Sequence, residues 1–365
     1  MFMNKSKLQQ NLQPYLPSYS ISNPNKLFYF ILFSMSMISV LSMFFSNFIH
    51  LWVLMEINTL LMISMMSIYT KSYKSVMNFF AIQSFSSLIL IYLLMVKNNI
   101  DSTNPTYSSI NFMLTLSFSL KLGLFPFFFW PPLINKNISW TMLLMMSTSQ
   151  KFVPLLIFNM FIDQFTNNQI MFSIIFISIL SSSISTIMNS YETNLKKIMT
   201  LSSTNHLSWM LMVIMFDSNM FLIYFITYTL SMIFLCSIFN KLNIIFIHSL
   251  SKIQLFNFKM INFFIILNLL IISGLPPFFT FIMKINILKI MIEGNAYLAS
   301  FLLMAMSTFT LIFYLNIIMK MNTLNLLKIK FYKFNMFDMK FNFMSILYIS
   351  ILTLMLAFFA LFIYP

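Results

Sequence analysis

The chain has 365 residues, of which 59% are hydrophobic and only 8% are charged. Soluble globular proteins carry about 25% charged residues, so this composition excludes the two soluble domains that the length alone would allow. The net charge of +14 comes from 21 basic residues, all of them lysine. These lysines are spread over separate loops without a basic stripe, which argues against binding of nucleic acid.

Residue usage also indicates the kind of gene. The chain has 35 methionines and 46 phenylalanines, but only three glycines and no arginine. Glycine and arginine use GC-rich codons, so this bias predicts a very AT-rich gene of the kind found in organelle genomes. Residues 1–26 are polar and have no arginine and no small-residue cleavage site, so we interpret them as an N-terminal arm rather than a targeting peptide.

Apolar segments of membrane-spanning length recur along the rest of the chain. Each crossing needs about 20 mostly apolar residues. We therefore predict an all-α polytopic membrane protein with about eleven transmembrane helices in a single domain, residues 27–365. The predicted spans are 27–47, 50–69, 76–96, 108–130, 139–160, 170–189, 195–215, 219–239, 261–288, 297–319 and 341–363.

The distribution of lysines predicts the orientation of these spans. Sixteen lysines lie in the N-terminal arm or in loops after even-numbered spans, two lie on the opposite side, and three lie within spans. Positively charged loops stay on the inner side of a membrane. We expect the N-terminus inside and, after eleven crossings, the C-terminus outside, with phospholipids of anionic head group as neighbours of the basic side.

Two spans contain the same interruption. The fourth contains Gly123 and Pro126, and the ninth contains Gly274, Pro276 and Pro277. Proline removes a backbone donor, and a membrane helix is broken in this way only where protein or a cavity can satisfy the freed carbonyl groups. Both spans are therefore predicted to be broken helices in a protein-lined environment.

The two breaks lie five spans apart, in spans that cross the membrane in opposite directions. This spacing predicts inverted repeats of roughly residues 27–160 and 170–319, followed by a final helix at 341–363. Paired interruptions of this kind are typical of a transport path near the bilayer midplane. The alternative is two unrelated proline kinks.

Four ionisable residues lie inside predicted spans: Glu56, Lys121, Lys151 and Lys284. Such groups are costly in lipid and usually line a polar path or pair with one another. We interpret them as a route for protons or ions, with Glu56 as the ionised partner of a lysine. The alternatives are a protonated, hydrogen-bonded Glu56 and, for the lysines, misplaced span boundaries that let the amines extend to the head groups.

His206 lies in a polar stretch, residues 202–206, of the seventh predicted span. An imidazole there would relay protons, and a hydrogen-bonded structural histidine is an equal alternative. The sequence has no Cys-x-x-Cys, no Gly-x-Gly-x-x-Gly and no phosphate-binding loop. We therefore predict that the chain itself holds no metal or cofactor and performs no redox or hydrolytic chemistry.

Five stretches together resemble a family, the mitochondrially encoded subunit 2 of NADH:ubiquinone oxidoreductase, respiratory complex I. They occur in the order that the family shows: Trp52–Leu61, Lys121–Trp130, Ser149–Pro154, Ser202–Met210 and Ser273–Lys284. The chain departs from the family pattern at five positions: Phe128, Leu133, Ser149, Thr280 and Met283. These departures leave the four charged residues within the spans unchanged.

The resemblance implies an antiporter-like, proton-translocating subunit in the mitochondrial inner membrane, with its N-terminus in the matrix and its C-terminus in the intermembrane space. Glu56 and Lys121 would be the family's ion pair, Lys151 its central lysine and Lys284 its exit lysine. NADH, flavin, iron–sulfur clusters and ubiquinone are then expected on other subunits. The implied partners are neighbouring antiporter-like subunits of the membrane arm, accessory subunits and phospholipids.

Two other functions are compatible with the residues. One is a free-standing secondary cation/proton antiporter, against which the codon bias and the span count argue. The other is a structural membrane-arm subunit whose channel is inactive. For an active channel we expect that separating Glu56 from Lys121 releases a proton towards Lys151, and that Lys284 passes it to the outer face.

Overall fold

The computed structural model describes residues 24–70, 72–98, 106–162, 168–216, 218–250, 259–276 and 278–323. Over these residues the chain is made of α-helices, two short 3-10 helices and connecting loops, without a β-strand. The N-terminal arm up to residue 23, Pro277 and the eleventh predicted span at 341–363 lie outside the described residues.

Thirteen α-helices follow one another in the described part of the chain, and they cover the first ten predicted spans. In chain order they are α1 (Pro24–Leu41), α2 (Phe48–Tyr69), α3 (Tyr73–Asn98), α4 (Thr106–Leu122), α5 (Trp130–Asn135), α6 (Trp140–Ser147), α7 (Ser149–Ile162), α8 (Asn168–Tyr191), α9 (Leu195–Phe216), α10 (Ser218–Lys241), α11 (Lys259–Ser273), α12 (Phe279–Glu293) and α13 (Tyr297–Thr323).

The prediction of an all-α polytopic membrane protein is confirmed. Within the described ranges, seven helical segments are long and apolar enough to cross a membrane. The fourth, seventh and ninth predicted spans are not among them: the fourth and ninth are interrupted, and the seventh, α9, contains the polar stretch 202–206. The three predicted spans outside this set are the ones that carry Lys121, His206 and Lys284.

Both predicted helix breaks are present. α4 ends just before Gly123 and α11 just before Gly274, and the two glycines have φ angles of 71° and 78°. These angles lie in the left-handed region that glycine adopts without a steric penalty. Pro126 and Pro276 lie in the turns that follow. A Cβ atom at Gly123 would lie 2.3 Å from Cγ of Pro131, so no side chain fits there.

The fifth predicted span, 139–160, is present as the segment Trp140–Ile162, which is long and apolar enough to cross a membrane, but it contains an interruption that was not predicted. α6 ends at Ser147 and α7 begins at Ser149, with Thr148 between them at φ −115° and ψ −84°. Pro154, inside α7, cannot donate to the carbonyl group of Gln150. In the sequence, the signal for this interruption was the run of four polar residues at 147–150, which lies shortly before Pro154. The interruption lies three residues before Lys151.

The central helix of the bundle is α9. It packs against α5, α6, α7, α8, α10 and α12, and its side chains from Leu195 to Ile214 are buried almost without exception. A helix that is buried on all sides faces protein rather than lipid in every direction. The polar side chains of α9 are therefore directed at other helices.

One lysine that the charge count places in an inner loop is in fact buried. Lys196 is only 9% exposed, and its Nζ donates a hydrogen bond to the carbonyl group of Ile138 at 2.6 Å. The same Nζ lies 5.9 Å from the ring of Trp140, whose Nε1 donates to the carbonyl group of Ile244. Lys196 thus joins the start of α9 to the loop that follows α5.

Candidate proton path

Glu56 on α2 and Lys121 on α4 form an ion pair. The Nζ of Lys121 lies 3.1 Å from Oε1 of Glu56. The Lys121 side chain is 2% exposed, whereas that of Glu56 is 26% exposed at the surface of the isolated chain. The alternative that Lys121 extends to the head groups is therefore wrong. Glu56 lies at the edge of the bundle rather than in its interior, which the sequence did not predict.

The carbonyl groups freed by the first helix break are bonded by side chains. Nε2 of Gln83, on α3, donates to the carbonyl group of Lys121 at 3.2 Å. Nε1 of Trp130 donates to the carbonyl group of Leu120 at 3.0 Å. Such bonds are required because water is absent from the hydrocarbon region. They also fix the backbone that carries Lys121.

A small cavity with room for about one water molecule lies between Lys121 and Lys151. Both lysines line it, and the remaining polar side chains that line it are Gln83, Asn135, Ser147, Gln150 and Ser203. A polar cavity with several hydrogen-bonding groups and room for at least one water molecule is a suitable place for buried water. The cavity therefore connects the first two lysines of the predicted route.

Lys151 is 7% exposed, and its Nζ donates to Oγ of Ser203 on α9 at 2.7 Å. Lys121 pairs with a carboxylate, whereas within the described ranges no carboxylate lies within salt-bridge distance of Lys151 or Lys284. Lys151 is therefore held by a hydroxyl group rather than by an ion pair.

His206 lies one helical turn after Ser203, between the other groups of the route. Its Nδ1 is 2.9 Å from the hydroxyl group of Tyr224, and the ring also interacts with the backbone carbonyl of Ile272. The imidazole lies close enough to Lys151 and Lys284 for their charges to act on it, but it is hydrogen-bonded to neither of them. The ring therefore has the hydrogen bonds of a structural histidine and also lies where a relay would need it.

The second helix break surrounds the amine of Lys284. This lysine is 3% exposed, and its Nζ is 3.4 Å from the carbonyl oxygen of Ser273, the last residue of α11. The same Nζ lies 5.4 Å from the ring of Trp209, a favourable cation–π distance. The hydroxyl group of Thr280 donates to the carbonyl group of Ile271. Lys284 therefore lies inside the protein, and the alternative of a surface lysine is wrong.

The two breaks differ in the groups that bond their carbonyls. At the first break the donors are the amide of Gln83 and the indole of Trp130, which do not titrate. At the second break, Nζ of Lys284 donates to the carbonyl group of Ser273, and the hydroxyl group of Thr280 donates to that of Ile271. A lysine amine is therefore among the donors at the second break and is absent from the donors named at the first.

Several polar residues of the site were not predicted as such: Asn58, Gln83, Trp130, Gln150, Ser203 and Tyr224. Four of them lie within the stretches that resemble the known family, which was the only signal for them. Gln83 and Tyr224 lie in spans whose hydropathy is ordinary. The residues that the structure describes contain no group of three or more His, Cys, Asp or Glu side chains that could hold a metal ion.

A helical membrane protein with two broken helices, a partly buried ion pair and a row of buried lysines belongs to the class of proton antiporter-like proteins. A family model described as NADH:quinone oxidoreductase/Mrp antiporter, TM, matches residues 46–312. NADH-ubiquinone oxidoreductase chain 2 of Anopheles gambiae is 30% identical over 302 residues, which cover 81% of this chain and 86% of the relative. The Aedes aegypti protein of the same name is 30% identical over 348 residues, which cover 90% of this chain and 97% of the relative.

The fold agrees with a solved structure of the same kind. A chain of respiratory complex I from Thermus thermophilus superposes with a TM-score of 0.77 at 15% identity, covering 91% of this chain and 78% of that one. The chain therefore belongs to the NADH-ubiquinone oxidoreductase chain 2 family. The resemblance that was inferred from five short stretches is confirmed.

Proposed function

We propose that this chain is a proton-translocating subunit of the membrane arm of NADH:ubiquinone oxidoreductase, and that Glu56, Lys121, Lys151, His206 and Lys284 carry the proton. The observation that supports this most directly is the ion pair between Lys121 and Glu56, which opens on a polar cavity shared with Lys151. A structural subunit would have no need for buried lysines that lack a carboxylate partner, because each one costs free energy.

The ion pair supplies the switch. At an effective dielectric constant of about 20, opposite unit charges about 4 Å apart attract by about 4 kcal/mol. Moving Glu56 away from Lys121 removes this stabilisation of the ammonium form and favours release of its proton by about a thousandfold. The proton then passes through the shared cavity to the amine of Lys151.

Onward transfer follows the polar side chains of α9. Lys151 donates to Ser203, and His206 lies one turn further on, near both Lys151 and Lys284. The imidazole can accept a proton at one nitrogen and release one from the other. Lys284, beside the second break, is the last group of the path before the outer face.

The energy for this cycle comes from other subunits of the complex. We expect NADH, flavin, iron–sulfur clusters and ubiquinone to bind there, in line with the name of the relatives. The expected partners are neighbouring antiporter-like subunits, accessory subunits and phospholipids, and the expected location is the mitochondrial inner membrane. The partly exposed side chain of Glu56 is the group that would respond to a neighbouring subunit.

The test is substitution of Lys151 within the assembled complex. Lys151→Met keeps the length of the side chain and removes the desolvation cost of a charge, so assembly should be maintained. Proton pumping, and the NADH oxidation that is coupled to it, should fall to about a tenth or less, because methionine cannot accept a proton. Lys151→Arg should fail as well, since guanidinium does not readily lose its proton.

The outcomes separate the remaining functions. Normal pumping per assembled complex in Lys151→Met would indicate a structural subunit with an inactive channel. Loss of the assembled complex in both variants would indicate that Lys151 supports the fold. If the polypeptide alone, reconstituted in vesicles, exchanged cations for protons, it would be a free-standing antiporter.

A further inference from the structure

Two amide side chains join the helix that carries Glu56 to the helix that carries Lys151. Nδ2 of Asn58, on α2, donates to the carbonyl group of Ser149 at 3.0 Å. In return, Nε2 of Gln150, on α7, donates to the carbonyl group of Asn58 at 2.8 Å. Asn58 is 1% exposed. We call these two reciprocal bonds the amide clasp.

The clasp lies between the groups that carry the proton. Asn58 is two residues after Glu56, and Gln150 immediately precedes Lys151. Gln150 also lines the cavity that both Lys121 and Lys151 share. A displacement of either clasp residue therefore moves a proton-carrying group or a wall of the cavity between them.

The clasp is not needed to satisfy the backbone. The two accepting carbonyls belong to Asn58 and Ser149, which lie within α2 and α7 and are followed four residues later by Met62 and Val153. Both of these residues have a backbone N–H, so the helices themselves provide a donor for each carbonyl. The bond of Gln83 to the carbonyl group of Lys121 is different, because that carbonyl was freed by a helix break.

A second tie holds the other partner of the ion pair. Gln83 bonds α3 to the last turn of α4, where Lys121 lies. The helices are thus tied in two pairs, α2 with α7 and α3 with α4, which are also close packing pairs. The ion pair between Glu56 and Lys121 is one of the contacts between the two tied pairs, which also pack together through α2 and α3 and through α4 and α7.

We propose that Asn58 and Gln150 are positioning residues, and that the amide clasp makes Glu56 and Lys151 move as one unit relative to Lys121. This inference rests on the proposed function. When Glu56 separates from Lys121, the clasp then shifts Lys151 relative to Lys121 in the same step. Release of the proton and the geometry of its acceptor are thereby coupled.

The experiment compares variants within the assembled, NADH-oxidising complex in membrane vesicles. Asn58→Leu and Gln150→Met remove one donor each at nearly constant side-chain volume, and the double variant removes both. The matched control is Asn268→Leu, because Asn268 is equally buried but its Nδ2 bonds only to its own helix, at the carbonyl group of Phe264. The measurements are the amount of assembled complex, NADH oxidation per complex, and protons pumped per electron.

Each single variant should lower the number of protons pumped per electron, and coupled turnover per complex should fall by about tenfold, since small displacements of reacting groups have effects of this order. The double variant should be no worse than the worse single variant, because either change opens the clasp. Asn268→Leu should retain the normal ratio of protons to electrons.

Three results would overturn the proposal. One is a normal proton-to-electron ratio in both single variants. Another is effects that multiply in the double variant. The third is loss of the assembled complex in Asn58→Leu and Gln150→Met and also in the isosteric variants Asn58→Asp and Gln150→Glu. That result would show that the clasp is needed for the fold. If Lys151→Met pumps normally in the same preparations, the proposed function itself fails. If Lys151→Met is defective while Asn58→Leu and Gln150→Met pump normally, only the proposal about the clasp is rejected.

Discussion

The amine of Lys284 occupies the space that a side chain at Gly274 would need. A Cβ atom built on Gly274 would lie 2.9 Å from Nζ of Lys284, and the φ angle of this glycine is 78°. The absence of a side chain thus has two physical causes at once, a left-handed backbone and close approach of a buried cation. The break in the ninth span and the buried lysine seven residues after Pro277 are therefore parts of one arrangement.

The three glycines of the chain should tolerate alanine to very different degrees. In Gly123→Ala the new Cβ meets the ring of Pro131 at 2.3 Å, so we expect loss of the assembled complex. In Gly274→Ala the obstructing atom is the end of a flexible side chain, so a fraction of the complex should assemble, at a backbone cost of about 1–2 kcal/mol. That fraction should pump poorly, because Nζ of Lys284 is displaced.

Gly294→Ala is the control for this series. The φ angle of Gly294 lies outside the left-handed region, and the nearest atom to an added Cβ is at an ordinary 3.4 Å. Native gel quantification of the complex, with pumping per complex, measures all three variants. Equal assembly of Gly123→Ala and Gly294→Ala would contradict the steric explanation of the first break.

Glu56→Gln should abolish the switch without preventing assembly. Glutamine keeps the shape of the side chain but removes the charge that stabilises the ammonium form of Lys121. The lysine can then become neutral instead of remaining as an uncompensated buried charge. Pumping should fall by about tenfold or more, because the lost attraction is about 4 kcal/mol.

The second ion pair of the described residues provides the control. Lys197 and Glu192 lie 2.7 Å apart, with side chains that are 24% and 26% exposed. Pairs near the surface contribute only about 0.2–1 kcal/mol, so Glu192→Gln should leave pumping and assembly nearly unchanged. Proton uptake by dye quenching in vesicles, normalised to assembled complex, compares the two variants. Equal pumping in both would remove Glu56 from the path.

Lys196→Met should destabilise the complex without blocking pumping. The substitution leaves the carbonyl group of Ile138 without its charged donor, and hydrogen bonds to charged groups contribute about 1.5–3 kcal/mol. We expect assembled Lys196→Met to lose activity faster on heating and to pump normally per surviving complex. The neighbouring, more exposed Lys197→Met should have normal heat resistance; if both variants are equally stable, the buried contact is not important.

The orientation predicted from the lysines can be tested by cysteine labelling. Lys136 and Asn295 are both exposed and lie on opposite predicted sides, the inner and the outer. In Lys136→Cys and Asn295→Cys, a membrane-impermeant thiol reagent applied to the outer face should react only at position 295. The native Cys236 is 1% exposed and should not react. Labelling of both positions from one face would require a different number of crossings between them.

Much of the fold follows from local properties of the chain. Hydropathy predicted the seven described segments that are long and apolar enough to cross a membrane, because burial in lipid depends on composition over a window of about 20 residues. Gly123 and Gly274 predicted the two main breaks, since glycine and proline restrict the backbone at their own positions. The interruption at Thr148 was missed, because Thr148 itself is compatible with a helix and only its surroundings favour a break.

The composition determined that this is a membrane protein, the charges within the spans predicted a route for protons or ions, and the five stretches determined its family. The tertiary structure decided how the groups meet, because the contacts join residues far apart in sequence. Lys121 bonds Glu56 across 65 residues, and Asn58 bonds Ser149 across 91. No periodicity predicts a hydrogen bond at such separations. The ion pair, the capped carbonyls and the amide clasp exist only once the helices have packed.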